Sequence, residues 1–331
     1  MHPLVLSLLC TLLLAVASPA TAADRVVLIV GGIEKQIYLP ARLAEQLGYF
    51  KEQGLDVELM SESAGIDAED MLLAGAAQGV VGAYDHTIVL QAKGKAVQSV
   101  VQFSIAPGEV VLVGAKRAKD ITSPADFKGR RLGVTGLGSS TSFLMQYLAI
   151  RSEVKSTAIT LVPVGSGSSF IAAMKQGVID AGMTTEPTAS RLLSADDARI
   201  LLDLRTPEAT RKALGGLYPF ACLYMQTAWI NSHRKETQKL VTAFVKALRY
   251  ISTHSAAEIA GLLPPDDHAG NKALYVQSLA NNKSMFTPDG VMPPTGPATV
   301  LNVLAIGNKD VRGKRIDLMR TYTTEFVNAV E

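Results

Sequence analysis

Short apolar runs of strand length alternate along the chain with segments whose apolar residues recur at helical spacing, and glycine marks the joints between them. In the first block this pattern predicts strands at 25–30, 55–60 and 80–84 and helices at 40–47 and 68–77. Such alternation is typical of α/β folds. We therefore predict an α/β protein with mostly parallel sheets, flanking helices and a helical C-terminal segment.

The same pattern continues in a second block. It predicts strands at 110–116, 131–135, 159–164 and 178–183 and helices at 141–150 and 169–175. A Gln-Gly-Val joint at 78–80 recurs at 176–178. The recurrence is either a chance repeat of a common helix–glycine–strand joint or the mark of two lobes built from similar α/β units.

The last third of the chain is mostly helical, with helices predicted at 235–253 and 316–330 and one long strand at 220–230. If the strands at 110–116 and 220–230 both run between lobes, the middle block is an insertion into a first lobe made of both chain ends. This interpretation assigns 23–108 and 219–331 to a discontinuous lobe 1 and 109–218 to lobe 2.

Composition limits the class of protein. The chain has 331 residues, of which 48% are hydrophobic and 19% charged, and its net charge is +2. These values are those of a folded, soluble protein, and at about 100 to 200 residues per domain the length suggests two domains. The near balance of charges argues against nucleic acid as a partner, because proteins that bind it concentrate Lys and Arg.

The first 22 residues have the features of an export signal. An almost wholly apolar stretch at 4–17 precedes Pro19 and an Ala-Thr-Ala end, which predicts cleavage after Ala22 and a periplasmic protein. The alternative is a retained anchor, but the stretch is shorter than the ~17 to 25 residues that span a bilayer. Cleavage would leave Cys222 as the only cysteine, so no internal disulfide is expected.

Five segments carry a family resemblance: 48–58 (GYFKEQGLDVE), the two Gln-Gly-Val joints, 126–134 (DFKGRRLGV) and 185–187 (TEP). In this order and spacing they resemble the substrate-binding proteins of ABC importers for nitrate, sulfonates and taurine, which have the type II periplasmic-binding-protein fold. The resemblance spans about residues 26 to 260. It implies two lobes with a ligand held in the cleft between them, and an inner-membrane permease and ATPase as partners.

In open parallel sheets, ligands bind beyond the carboxyl ends of the strands. The loops after the predicted strands lie at 34–39, 61–65, 83–86, 135–141 and 184–187. The fourth loop is the strongest candidate, because glycines followed by three hydroxyl residues at a helix start present N–H and O–H donors to an anion. The alternatives are an ordinary N-cap turn and a similar Gly/Ser loop at 165–169.

Candidate ligand-binding residues on these loops are polar or aromatic, or glycine where a backbone must approach the ligand. They are Gln36, Tyr38, Ser63, Tyr84, His86, Gly138, Ser139, Ser140, Thr141 and Glu186. The three hydroxyls at 139–141 are expected to make the strongest bonds. An acid is unfavourable in an anion site, so Glu186 either meets a ligand amine, pairs with a base or holds its loop.

No catalytic constellation or cofactor motif is found in the sequence. Cys222 lies in an apolar run, where an inert buried thiol is expected, and the histidines are too scattered for a zinc site. The thiamine-pyrimidine synthases resemble the same fold family, but their cysteine-rich motif is absent from this chain. A receptor for a signalling partner would use the same cleft.

We therefore interpret the chain as a monomeric periplasmic binding protein without cofactor or metal. It is expected to close two lobes on a small anion or zwitterion of the sulfonate, nitrate, taurine or carboxylate type. Hinge residues are expected at 104–110 and 206–220, where glycine and proline accumulate.

Overall fold

The computed structural model describes residues 24–331, and the predicted signal peptide lies outside them. The first sheet has five strands: β1 Asp24–Val30, β2 Leu55–Ser61, β3 Gly79–Ala83, β4 Val97–Gln102 and β10 Ala221–Gln226. Their order is β2-β1-β3-β10-β4, in which β1 is parallel to β2 and β3 while β10 is antiparallel to β3 and β4. β3 is buried along its whole length, as expected for a continuous apolar run in the middle of a sheet.

The second sheet also has five strands: β5 Glu109–Gly114, β6 Arg131–Val134, β7 Thr160–Pro163, β8 Ala181–Thr185 and β9 Ala198–Leu204. Their order is β7-β6-β8-β5-β9, with β5 antiparallel to β8 and β9. The first sheet thus takes strands from two separate stretches of chain and the second from one continuous stretch. We call the layers around them lobe 1 and lobe 2, and propose that the boundaries fall near 108 and 219.

Helices cover both faces of the sheets. They are α1 Leu39–Gln46, α2 Tyr49–Glu52, α3 Gly65–Leu73, α4 Asp85–Ala92, α5 Ser140–Arg151, α6 Gly167–Gln176, α7 Thr188–Ser194, α8 Pro207–Leu214, α9 Thr227–Ser232, α10 Arg234–Thr253, α11 Ala256–Leu262, α12 Lys272–Asn282, α13 Gly296–Gly307 and α14 Glu325–Asn328. Pro40 lies in the first turn of α1, where its missing N–H costs nothing. Within residues 24–331, no helix combines the length and apolar character needed to cross a membrane.

The C-terminal third differs from the pattern expected of it. The predicted strand at 220–230 ends at Gln226, and Trp229 lies on α9 instead. The predicted helix at 316–330 is replaced by a short 3₁₀ turn and α14, because the threonines at 321–324 favour extended backbone and Tyr322 bridges to Ser99 of β4. Neither α12 nor α13 was predicted, and at the start of α13 the prolines at 293–297 indicated only a loop.

The C-terminal segment contacts both lobes. α13 packs against α5 of lobe 2 and also against α4 of lobe 1, and α12 contacts α7. The α13–α5 approach depends on Gly307, where an added Cβ would lie 2.6 Å from the carbonyl oxygen of Phe143. Residues 219–331 therefore do more than extend lobe 1, and they tie the two lobes together away from the connecting segments.

Candidate functional site

Loops from the two sheets meet at a small buried cavity between the lobes. Its volume is about 20 Å³, room for about one water molecule. It is lined by Lys35, Ile37, Tyr38, Gly65, Ala83, His86, Glu109, Thr135, Ser139, Ser140, Thr141, Thr185 and Phe220. A ligand of several heavy atoms would need this space to widen, so the lobes are in a closed arrangement.

Lys35 is the cation on the lobe 1 side. It is only 5% exposed, and its Nζ donates to the carbonyl oxygens of Gly31 at 2.5 Å and Ser63 at 3.4 Å. Burial lowers the pKa of Lys35, and the charges of nearby carboxylates, first Glu34 and then Glu109, oppose that effect. The loop after β1 therefore places an amine at the cavity, and within residues 24–331 this amine is hydrogen-bonded to carbonyl oxygens rather than to a carboxylate.

His86, in the first turn of α4, is a second potential donor on the same side. Its Nδ1 is hydrogen-bonded to Glu69 of α3, and its ring lies 6.3 Å from that of Tyr224 at an angle of 11°. Burial alone would lower the pKa of His86, but the hydrogen bond and charge of Glu69, together with Asp85, raise it above 6.5. Nε2 is buried 4.0 Å from Asp85 Oδ1 and has no hydrogen-bond partner in the described part of the chain, and in the protonated ring it carries a hydrogen to donate.

Asp85 joins the lobes directly behind the cavity. It is fully buried on lobe 1 and accepts hydrogen bonds from the Ser140 hydroxyl of lobe 2 at 2.7 Å and from the Tyr218 hydroxyl at 3.2 Å. Burial raises the pKa of this carboxyl, against the charge of His86 and the two hydroxyl donors. The Ser140–Asp85 bond exists only while the lobes are closed.

Glu109 and Thr185 form the lobe 2 wall. They lie directly opposite each other on β5 and β8, so their side chains share one face of the sheet. Glu109 is 2% exposed, and its Oε2 and the Thr185 hydroxyl have no hydrogen-bond partner among residues 24–331. Burial and then the charge of Asp85 raise the pKa of Glu109 well above its usual value, and Lys35 opposes them.

The three hydroxyls expected to bind an anion line the cavity, but each already has a protein partner. Ser139 accepts from the N–H of Ile66 at 3.3 Å, Ser140 donates to Asp85, and Thr141 accepts from the N–H of Thr135 at 3.0 Å. Ser139 keeps its own O–H free to donate. The N–H groups of Ser140 and Thr141 have no backbone partner within residues 24–331, so the start of α5 still presents donors.

Further bonds cross the cleft beside the cavity. Ser166 donates to Glu34 at 2.7 Å, and the backbone N–H of Gln36 donates to the carbonyl of Glu186 at 3.0 Å. The rival loop at 165–169 thus serves the closed arrangement, and none of its residues lines the cavity.

Five of the predicted candidates face elsewhere. The side chain of Gln36 donates to Tyr275 and Ser278 of α12, because that helix packs over the loop after β1. The hydroxyl of Tyr84 pairs with Thr321, and Ser63 donates to Asp67 at 3.1 Å. The other two, Gly138 and Glu186, shape or hold the loops in which they lie.

Gly138 adopts a φ of +93°, which glycine takes without strain and which turns the chain into α5. Glu186 is paired with Arg205 at 2.6 Å and accepts from the N–H of Ser190 at 2.9 Å. Of the roles considered for Glu186, these contacts match pairing with a base and holding the loop.

Five polar residues at the site were not among the candidates: Lys35, Asp85, Glu109, Thr135 and Thr185. Four of them lie on the predicted loops, so their place after the ends of the strands was a signal by which they could have been identified. Glu109 begins β5, and only its pairing with β8 brings it to the cavity. Within residues 24–331, no cluster of His, Cys, Asp and Glu could hold a metal ion, and Cys222 lies outside the cavity on β10.

Comparison with known proteins identifies the family. The family described as NMT1/THI5 like matches residues 38–257, which is most of the chain, and the protein belongs to this family. A curated relative is the 4-amino-5-hydroxymethyl-2-methylpyrimidine phosphate synthase THI13 of Saccharomyces cerevisiae. It is 25% identical over 239 residues, covering 70% of this chain and 68% of that protein.

Solved structures confirm the two-lobed periplasmic-binding-protein fold predicted from the sequence. A protein of Bordetella bronchiseptica RB50 superposes with a TM-score of 0.89 and 34% identity, over 92% of this chain and 96% of that one. The alkanesulfonate-binding protein SsuA of Xanthomonas axonopodis pv. citri, bound to MOPS, gives a TM-score of 0.72 at 18% identity, over 92% and 99%. The resemblance seen in the sequence segments is likewise confirmed.

Proposed function

We propose that this protein is the periplasmic substrate-binding component of an ABC importer, acting as a monomer that captures a small polar ligand between its lobes. The observation that carries the proposal is the cavity itself. Buried donors and acceptors without protein partners converge there from strand ends of both lobes, as in a ligand pocket. The likeness to SsuA in fold supports the same assignment.

The donors at the cavity suit a ligand with an anionic group. Lys35, the Nε2 of His86 and the N–H groups at the start of α5 can all donate to oxyanion oxygens. Binding would close the lobes only by the difference in the ligand's affinity for the closed and open states. A permease would then recognise the closed surface, and no reaction need occur in the cleft.

A thermal-shift screen of the mature protein tests the proposal. Sulfonates, nitrate, short carboxylates and zwitterions such as taurine would be compared, since a ligand that binds only the folded state raises its apparent stability. We expect at least one class to raise the melting temperature and to reduce the radius of gyration measured by small-angle X-ray scattering. If no class does either, the chain does not bind solutes of this kind.

A second candidate function is pyrimidine synthesis of the kind named for the curated relatives. The observation in its favour is the buried Glu69–His86 pair at the cavity, since a carboxylate-oriented imidazole can transfer protons. Against it, burial raises the pKa of Cys222, so this thiol is unreactive, and it does not line the cavity. Mass spectrometry for a released pyrimidine phosphate, with the intact protein's mass before and after, separates the two functions.

A further inference from the structure

The buried charges at the cavity are unevenly distributed between the lobes. Lobe 1 contributes Lys35 and His86, whereas the lobe 2 wall contributes Glu109 with Thr185 beside it. Neither hydrogen bond of Lys35 goes to Glu109, so the amine and the carboxylate do not satisfy each other. The cavity therefore has donors on lobe 1 and at the start of α5, and an acceptor on the wall formed by β5 and β8.

Glu109 is a buried carboxyl group that lacks a hydrogen-bond partner for one of its oxygens in the described part of the chain. It is 2% exposed and its Oε2 has no partner in the described part of the chain, although buried carboxylates are normally paired. The neighbouring Thr185 hydroxyl is also unpartnered. A ligand N–H placed between these two side chains would give both of them a hydrogen bond.

The charge balance of the site points the same way. Two basic groups, Lys35 and His86, are buried with three carboxyl groups, Glu69, Asp85 and Glu109. If all are ionised the cluster has an excess of one negative charge, and protonation of Glu109 would make it neutral. A plain anion therefore adds negative charge to a site that has no surplus positive charge, whereas a zwitterion does not.

We propose that Glu109 is a specificity-determining residue, which selects ligands that carry an ammonium or other N–H donor next to their anionic group. This inference rests on the proposed function and narrows it. The anionic end would face Lys35, His86 and the start of α5, and the N–H donor would face Glu109 and Thr185. Hydrogen bonds to a charged group are strong enough for a preference of about tenfold or more.

The test uses matched pairs of ligands that differ only in the amine. Calorimetry would compare taurine with ethanesulfonate and β-alanine with propionate, on the wild type and on Glu109→Gln. Glu208→Gln, which neutralises an exposed glutamate on α8, is the control. We expect the wild type and the control to bind at least one amine-bearing ligand at least tenfold more tightly than its deaminated partner. Glu109→Gln should lose that preference and bind the deaminated partner at least as tightly as the wild type does, because the variant removes a carboxylate that repels the anion.

Gln has nearly the shape of Glu and removes a buried charge, so Glu109→Gln should melt at or above the wild-type temperature, which shows that lost binding is not unfolding. Equal affinity of the wild type for both members of each pair would overturn the inference and leave the proposed function intact. So would a preference that survives in Glu109→Gln. Absence of binding by every member of both pairs, together with a negative thermal-shift screen, contradicts the proposed function itself, and the inference falls with it.

Discussion

Replacing Ser140 by alanine tests whether the cross-cleft bond to Asp85 holds the lobes together. The Ser140 hydroxyl donates to this carboxylate at 2.7 Å, and both residues are buried, Ser140 at 5% and Asp85 at 0% exposure. The change removes one hydrogen bond to a charged group, and Asp85 keeps the Tyr218 hydroxyl and its interactions with His86. In the open arrangement water replaces the lost partner, so the loss falls on the closed state.

The expected magnitude follows from that asymmetry. A hydrogen bond to a charged group contributes about 1.5 to 3 kcal/mol. Because this bond is lost from the closed state alone, its removal shifts the equilibrium towards the open state by about 10- to 150-fold. Binding of any ligand that needs closure is weakened by up to the same factor. The helix start itself should survive, because Ser139 rather than Ser140 occupies the N-cap position of α5.

Small-angle scattering of the ligand-free protein and calorimetry with a ligand found by thermal shift measure the two effects. Ser168→Ala is the matched control, since Ser168 is exposed in the first turn of α6 on the rival Gly/Ser loop. We expect Ser140→Ala to be more open and to bind at least tenfold more weakly, and Ser168→Ala to behave as wild type. If Ser140→Ala binds normally and Ser168→Ala does not, the loop at 165–169 governs binding and the reasoning is wrong.

Three further changes have expected outcomes. Gly307→Ala should lower the free energy of unfolding in urea by about 1 to 3 kcal/mol, because its Cβ would meet the Phe143 carbonyl, whereas Gly261→Ala on α11, with nothing within 4 Å, should not. Asp180→Asn should be less stable than wild type at pH 7 but not near pH 2. Burial would raise the pKa of Asp180, but hydrogen bonds from the backbone and side chain of Arg131 outweigh burial and lower it. The ionised carboxylate therefore stabilises the fold above pH ~4, and this stabilisation is lost as the pH falls through the lowered pKa. Equal acid sensitivity of the two proteins would contradict this. Glu69→Gln should lower the pKa of His86 in an NMR titration, and an unchanged pKa would show that Glu69 does not hold the ring protonated.

The parts of the fold that sequence reasoning predicted are those fixed by local signals. Ser123 and Ser255, each followed three residues later by an acidic residue, both form the capping box that this spacing indicates. The loops after the parallel strands meet at the cavity, as expected from the rule that ligands bind beyond the carboxyl ends of such strands. These features depend on residues within a few positions of one another. This is why the loops that meet at the cavity were easier to predict than the contacts of their side chains.

The direction of individual side chains depended on distant parts of the chain. Tyr84 points away from the cavity because its hydroxyl is hydrogen-bonded to that of Thr321. Thr321 lies in the segment that was expected to be helical. Gln36 donates to α12, a helix that was not predicted from the sequence. Glu109 could not be recognised as a wall of the site, since only the register of β5 against β8 brings it there.

The unpartnered groups at the cavity also explain how closure can depend on a ligand. In the closed protein, Glu109 Oε2, His86 Nε2 and the Thr185 hydroxyl are removed from water without gaining a partner, at about 1 to 3 kcal/mol each. Against this stand the cross-cleft bonds of Ser140, Ser139, Ser166 and Gln36, of similar individual size. These bonds and the packing of α13 on both α4 and α5 favour the closed arrangement, and the unpartnered groups oppose it. A ligand that satisfies the three unpartnered groups removes the cost of closure, and the groups that recognise the ligand are then also the groups that close the lobes.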